Sequence, residues 1–185
     1  MPIGVQPFAL HRLEESTVRS IDRAGAVGFE GIELGAGEDT DGVHAALADA
    51  GLAVSSLAVD RETPEADRLD EARETADAFD TDRGVSMWLG EDRWDSREAI
   101  EDTAARLDEY ADRRAERGLR LHHCDHAHEF ADLGGTADYE RAVEATDAVG
   151  VELDLGWATT GGADPVAEVG HVSALLNGYT GHSRR

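Results

Sequence analysis

Short apolar runs alternate with longer amphipathic runs along the whole chain. The apolar runs predict six strands, which are, in chain order, Ile3–Gln6, Gly31–Leu34, Ala53–Val59, Val85–Trp88, Leu119–Cys124 and Val151–Leu155. Between them, apolar positions recur three or four residues apart, which is the period of an amphipathic helix. Strands that alternate with helices are typical of βαβ units, so we expect an α/β fold with a parallel sheet.

Glycine, acidic residues and proline mark the expected ends of these helices. Gly28 and Gly118 follow helical patterns at positions where a left-handed residue commonly ends a helix. Asp95 and Glu98 have the spacing of a capping box before the fourth long helix. Asp164-Pro165 predicts the start of the last helix, because proline is favoured at the first helical position.

The alternating pattern stops after six units. Tyr139, Val143 and Val149 predict the helix before the sixth strand, and an apolar face from Val166 to Leu176 predicts the helix after it. No seventh strand follows, and 185 residues fall short of the roughly 250 of a complete eightfold barrel. We therefore expect a single domain over residues 1–185, an incomplete (β/α) TIM-type barrel with strands seven and eight missing.

The charge balance is strongly acidic. Forty Asp and Glu oppose 17 basic residues, all of them Arg, which gives a formal net charge of −23. Salt screens the repulsion between these acidic groups, so the composition predicts a halophilic, cytoplasmic protein. The 41% hydrophobic content argues against a disordered chain. We expect neither nucleic acid nor a membrane surface as partner, because phosphate binding needs clustered positive charge. No apolar stretch approaches about 18 residues, so neither a signal peptide nor a membrane span is expected.

Polar side chains on four predicted strands are expected to point into the barrel. Side chains alternate along a strand, and the catalytic groups of parallel barrels gather at the carboxyl ends of the strands. With the large apolar residues facing the helices, this parity turns Gln6, Glu33, Cys124 and Asp154 inward. His126 follows the same parity if the extended chain continues.

Imidazole, thiol and carboxylate groups are concentrated in His122–Phe130, at the end of the fifth predicted strand. These are ligand types for divalent metal ions, and histidine also serves in acid–base catalysis. The alternative is a solvated polar loop with no ligand. His123 and Asp125 lie on the opposite parity, which favours a structural or supporting role.

The remaining candidates each have a functional and a structural interpretation. Asp154 ends the sixth predicted strand, where a buried carboxylate needs a partner, a metal or a proton, or else caps the next helix. Trp157 either forms a wall of a sugar site or packs in the core. Glu33 and Gln6 either bind substrate hydroxyls or pair with Arg120 inside the barrel.

Several motifs in the expected order resemble the xylose isomerase-like barrel family, which includes sugar phosphate isomerases, epimerases and inosose dehydratases. The motifs are Ile3-Gly4-Val5-Gln6, Gly28-Phe29-Glu30-Gly31-Ile32-Glu33-Leu34, Cys124–Phe130, and Leu153-Asp154-Leu155-Gly156-Trp157 followed by Gly162-Ala163-Asp164-Pro165. The third of them is similar to a His-Asn-His-x-His-Glu-Phe pattern. The resemblance covers nearly the whole chain and does not specify a substrate.

The resemblance implies a divalent metal ion (Mn, Co, Zn or Mg) held on strands five to eight. That metal would orient the carbonyl and hydroxyl of a sugar while acid and base groups move a proton between neighbouring carbons. The implied site residues are, by role, Glu33 and His126 as catalytic groups, Gln6 and Trp157 as substrate contacts, and Asp154, Cys124 and His126 as metal ligands.

The chain departs from the family pattern in two ways. Cys124 stands where the pattern has its first His, and the family's strand-seven His and strand-eight Glu have no counterpart. We expect a metal-dependent isomerase or epimerase for a sugar or polyol. The alternatives are a non-catalytic barrel remnant or polyol-binding pseudoenzyme, and an inosose dehydratase-like lyase. A homo-oligomer or a complementing chain is the expected macromolecular partner, because an open sheet edge is normally covered.

Overall fold

The computed structural model describes residues 3–35, 41–59, 66–130, 142, 145–146 and 148–179. Its contacts divide the chain into two compact units. Unit 1 contains residues 1–85 and 114–120, and unit 2 contains residues 86–113 and 121–185. The candidate site residues are distributed over both units, with Gln6 and Glu33 in the first and the remaining ones in the second.

Unit 1 has a parallel sheet whose strands follow the chain order. Its strands are β1 (Gly4–Val5), β2 (Gly31–Gly35), β3 (Ala53–Val59) and most of β4 (Arg83–Ser86). The β3 bounds confirm the sequence prediction. The β2–β3 register shifts between Ile32 and Glu33, which places Glu33 opposite Ser56.

Three helices accompany these strands: α1 (Thr17–Val27), α2 (Asp41–Ala50) and α3 (Ala66–Ala78). A 3-10 helix precedes them at Pro7–Leu13. Gly28 ends α1 with φ 98°, a left-handed conformation that confirms its predicted role. A Cβ on Gly25 would come within 2.8 Å of the Ala50 Cβ, so glycine is what lets α1 and α2 pack closely.

Unit 2 contains the carboxyl-terminal strands and helices. They are α4 (Arg97–Ala115, whose last two residues lie in unit 1), β5 (Arg120–Cys124, whose first residue lies in unit 1), β6 (Gly150–Glu152), α5 (Leu155–Gly161) and α6 (Pro165–Tyr179). Strands β5 and β6 are parallel, with His122 opposite Gly150. The α6 start confirms the sequence prediction, because Asp164 Oδ1 accepts the backbone N–H of Val166 at 3.0 Å. The helix predicted from Tyr139 to Val149 lies largely outside the described residues.

Several predicted boundaries were wrong by one to three residues, and three of these differences have a clear structural reason. Strand β4 ends at Ser86, two residues before the predicted end, because the apolar signal of Trp88 comes from a loop that packs on histidines. Ser96 rather than Asp95 caps α4, since Ser96 Oγ accepts the Ala99 N–H at 3.2 Å. Strand β6 ends at Glu152, because the following residues turn into α5.

A small hydrophobic cluster of unit 2 packs beside the turn that follows β5. Phe130 is 6% exposed and Ala158 is 0% exposed, and partly buried Val151, Leu153 and Ala163 pack around them. A Cβ on Gly161 would lie 2.5 Å from the carbonyl oxygen of Ala127, so this glycine lets α5 pack against the turn after β5. None of the described helices is long and apolar enough to cross a bilayer.

Candidate functional site

The candidate site lies at the carboxyl end of β5, within unit 2. Asp125 and His126 follow the strand directly, and a 3-10 turn over Ala127–Phe130 comes next. Asp125 and Glu129 are both 0% exposed, and His126 is 9% exposed. Because ionisable groups are costly to bury without partners, their contacts determine what the site can do.

Three imidazoles surround the carboxylate of Glu129, and we call Glu129 with His123, His126 and His128 the imidazole cluster. His123 Nε2 lies 3.0 Å from Glu129 Oε2, which is hydrogen-bond distance. His126 Nδ1 and His128 Nε2 lie 3.8 Å and 3.9 Å from Glu129 Oε1. Burial raises the pKa of Glu129, but the His123 hydrogen bond and the two nearby rings hold that pKa below its usual value. These contacts therefore favour the ionised form of Glu129.

Aromatic and backbone contacts fix the outer rings of the imidazole cluster. The His123 ring stacks on Trp94, with centroids 6.0 Å apart and planes at 17°. His128 Nε2 lies 3.0 Å from the carbonyl oxygen of Leu89. A carbonyl oxygen only accepts hydrogen bonds, so His128 carries its proton on Nε2 in this contact.

His126 lies between two further tryptophans. Its ring meets Trp88 edge-on at 4.6 Å between centroids, and it meets Trp157 at 5.5 Å and 36°. Trp157 is 39% exposed, and the His126 side chain keeps 11% exposure. A small molecule that stacks on Trp157 would therefore lie next to the His126 imidazole.

Asp125 ties the β5 end to the start of α5. Its Oδ1 accepts the backbone N–H of Asp154 at 2.6 Å. Burial, together with the nearby charge of Glu129 and only partly opposed by this hydrogen bond, raises the pKa of Asp125 to about 7. The structural role expected for Asp125 from strand parity is thus supported by a specific contact.

Asp154 caps α5. Its Oδ1 accepts the backbone N–H groups of Gly156 and Trp157 at 2.8 and 2.9 Å. Asp154 thus takes the helix-cap role that the sequence offered as an alternative. The hydrogen bond to the Trp157 N–H helps to hold Trp157 beside His126. The cap occupies one carboxylate oxygen.

The donor atoms of the predicted metal ligands provide a test of their fit to a metal ion. Among the residues that the structure describes, no three His, Cys, Asp or Glu side chains are grouped to hold a metal together. The Cys124 thiol is buried and lies 3.8 Å from the carbonyl oxygen of Asp125, and His126 Nδ1 faces Glu129. The described donors do not by themselves fit a metal, so the assignment of Asp154, Cys124 and His126 as ligands stays a prediction.

The two candidates of unit 1 bind each other. Gln6 Nε2 donates to Glu33 Oε1 at 2.9 Å, and Ser56 Oγ donates to Glu33 Oε2 at 2.8 Å. Glu33 is 6% exposed. The alternative in which these residues pair with Arg120 was wrong, because Arg120 is largely exposed and binds Asp82 through Nη2 at 2.5 Å. Arg120 lies at the amino end of β5, away from the carboxyl end where inward groups gather.

The sequence interpretation missed three residues of the site. Glu129 lies within the Cys124–Phe130 motif, which assigns it no role of its own, and Trp88 is predicted to lie in the fourth strand. Trp94 carries no signal in the sequence pattern, and of the three tryptophans only Trp157 lies within a quoted motif.

No protein-family model and no curated protein sequence matches the chain. Solved structures do match. A sugar phosphate isomerase/epimerase from Parabacteroides distasonis has a TM-score of 0.73 at 20% identity, over 92% of this chain and 71% of that protein. The probable 3-DHS dehydratase of Bacillus anthracis has a TM-score of 0.70 at 16% identity, over 95% of this chain and 70% of that protein.

A third match shows how widely the activities of this fold differ. The family 2 AP endonuclease from Brucella melitensis has a TM-score of 0.63 at 19% identity, over 92% of this chain and 75% of that protein. Likeness at such identities establishes the fold and leaves the activity open. The chain therefore has the fold of the xylose isomerase-like TIM barrels, as an incomplete barrel with six parallel strands.

Proposed function

We propose that this protein acts on a sugar or polyol by moving a proton next to a carbonyl, as an isomerase or epimerase does. The observation that carries the proposal is the His126 imidazole, held 3.8 Å from buried Glu129 and flanked by Trp88 and half-exposed Trp157. The group lies at the carboxyl end of β5, where parallel barrels concentrate their catalytic residues.

The chemistry proposed for His126 needs one group that both accepts and donates a proton near pH 7. Imidazole meets that requirement. His126 would take a proton from the carbon beside the carbonyl, which leaves an enediolate. Return of the proton to the former carbonyl carbon, with the hydroxyl proton passing between the two oxygens, completes an isomerisation. An epimerisation needs a second donor, a side chain or water, that delivers a proton to the opposite face of the same carbon.

Trp157 is the proposed substrate contact on this side. The ring offers an apolar face to the C–H surface of a sugar, and its exposure leaves that face accessible. Its place beside His126 is supported by two backbone hydrogen bonds to Asp154 and by the close approach of Gly161 to the Ala127 carbonyl.

Glu33 and Gln6 remain the proposed catalytic and substrate-binding groups of unit 1. Gln6 and Ser56 each donate to one carboxylate oxygen of Glu33, so the side chain has a fixed orientation. That preorganisation supports a role in binding hydroxyl groups, for which carboxylate and amide side chains are suited. We also propose a cytoplasmic, halophilic protein, and a second copy or a complementing chain as partner.

Metal dependence is a separate proposal. Isothermal titration with Mn²⁺, Co²⁺ and Zn²⁺ should compare the native chain with Asp154→Ala. One-to-one binding that the substitution removes would support Asp154, Cys124 and His126 as ligands. Among the described residues the donors do not form a set, so the proton transfer is assigned to the His126 side chain alone, and a metal bound to its Nε2 would contradict that role.

A dehydratase is the second candidate, favoured by the match to the Bacillus anthracis protein. Its first step is the same removal of a proton beside a carbonyl, and it differs in that a hydroxyl group then leaves as water. Product analysis separates the two, since an isomer keeps the mass of the substrate and a dehydrated product does not.

Ligand binding by the folded chain provides the test. Saturation-transfer NMR against a panel of ketoses, aldoses and inososes should detect binding that Trp157→Ala and His126→Gln both weaken. His44→Gln is the matched control, because His44 stacks on Phe79 in unit 1. Binding with no turnover would favour a polyol-binding pseudoenzyme, and no binding at all would favour a barrel remnant.

A further inference from the structure

The buried carboxylate of Glu129 faces one of the two ring nitrogens of His126. Glu129 is 0% exposed, and its backbone N–H donates to the His126 carbonyl at 2.9 Å. This 3-10 turn brings the Glu129 side chain back toward the ring of His126, so that Nδ1 rather than Nε2 faces the carboxylate oxygen Oε1.

Two imidazole nitrogens lie near Glu129 Oε1, His126 Nδ1 and His128 Nε2. Glu129 Oε2 already receives the hydrogen bond from His123 Nε2, while Oε1 has no hydrogen bond among the described residues. His128 Nε2 is bound at 3.0 Å to the carbonyl of Leu89, with Glu129 Oε1 farther off at 3.9 Å. His126 Nδ1 at 3.8 Å is therefore the imidazole nitrogen best placed to direct its N–H at Oε1.

We infer that Glu129 is a positioning residue that holds His126 as the Nδ1–H tautomer and leaves Nε2 as the proton acceptor. A negative carboxylate attracts the N–H and repels the lone pair of the nearer nitrogen. The same logic governs catalytic histidines that are oriented by a buried acid. The role in catalysis rests on the proposed function, whereas the tautomer itself does not.

The experiment reads the tautomer directly. In protein labelled with ¹⁵N-histidine, two-bond ¹⁵N–¹H correlation spectra distinguish Nδ1–H from Nε2–H rings at a pH where the rings are neutral. The wild-type His126 should be the Nδ1–H form, and Glu129→Gln should shift it toward Nε2–H, because the amide removes the charge. Glu168→Gln, a change at another buried glutamate of unit 2, is the matched control and should leave His126 unchanged.

Each outcome has a defined meaning. An Nε2–H tautomer for wild-type His126 would overturn the inference without any variant, so a Glu129→Gln protein that fails to fold does not block the test. An unchanged tautomer in folded Glu129→Gln would overturn it as well. If the wild-type protein catalyses solvent exchange, Glu129→Gln should lower kcat by about 100-fold with KM unchanged. Failure of all exchange contradicts the proposed function and leaves the tautomer result standing.

Discussion

Wild-type protein should lose unfolding free energy as pH rises toward 7, and Asp125→Asn should remove this loss. Asp125 is fully buried, and burial raises its pKa to about 7, against 3.8 for a free side chain. Between those values the folded protein holds a proton that the unfolded chain has released. The free energy of unfolding must therefore fall as pH rises through this window.

The magnitude follows from the separation of the two pKa values. About three pH units separate them, and each unit corresponds to roughly 1.4 kcal/mol, so ionised Asp125 costs about 4 kcal/mol above pH 7. Asparagine retains the oxygen that accepts the Asp154 N–H and cannot ionise. Its buried amide adds a constant cost of about 1–3 kcal/mol, so the informative quantity is the slope against pH.

The assay is urea denaturation at fixed KCl concentration, from pH 4.5 to pH 8.5, on wild-type and Asp125→Asn protein. As pH rises toward 7, the unfolding free energy of wild type should fall relative to that of the variant by roughly 1.4 kcal/mol per pH unit. Above pH 7 the difference should level off. Asp82→Asn is the control, because its hydrogen bond with Arg120 lowers the pKa of Asp82, so this carboxylate stays ionised over the whole assay range. The difference between wild type and that variant should therefore not change with pH. A difference for Asp125→Asn that does not change with pH would refute the reasoning.

Three further predictions concern packing, thiol burial and charge. Gly150→Ala should lower the free energy of unfolding in urea by about 1–3 kcal/mol, because the new Cβ would lie 2.3 Å from the His122 ring. Gly170→Ala in α6 meets open space and should raise that free energy by about 0.5–1 kcal/mol. Equal effects of the two substitutions would contradict this packing. The thiol of Cys124, 4% exposed, should react with a thiol reagent only as fast as the protein opens, and immediate reaction would contradict its burial. With a net charge of −23, the urea midpoint should rise between 0.1 and 2 M KCl, and a fall would contradict the halophile prediction.

Features set by local chain chemistry could be predicted from the sequence. The bounds of β3, the end of α1 at Gly28 and the start of α6 at Asp164-Pro165 each depend on neighbouring residues. A run of β-branched and small residues, a left-handed glycine and an aspartate before proline favour these elements without distant contacts. The fold class followed from their order along the chain.

Features that depend on tertiary contacts could not be predicted from the sequence. The end of β6 depends on Asp154, whose N–H is bound by Asp125, the residue that follows β5. The part played by Glu129 depends on a 3-10 turn that folds it back onto His123 and His126. Strand parity assumed extended chain through His126, so it identified this residue but gave no reason to group Glu129 with it.

The central claim is that His126 moves a proton beside a carbonyl, and solvent exchange tests it most directly. The protein should be incubated in D₂O and KCl with ketoses, aldoses and inososes, and deuterium on carbon measured by mass spectrometry. We predict incorporation next to the carbonyl of at least one compound, at least about 100-fold slower for His126→Gln and unchanged for His44→Gln. No incorporation by the folded wild-type chain, or equal incorporation by His126→Gln, would contradict the claim.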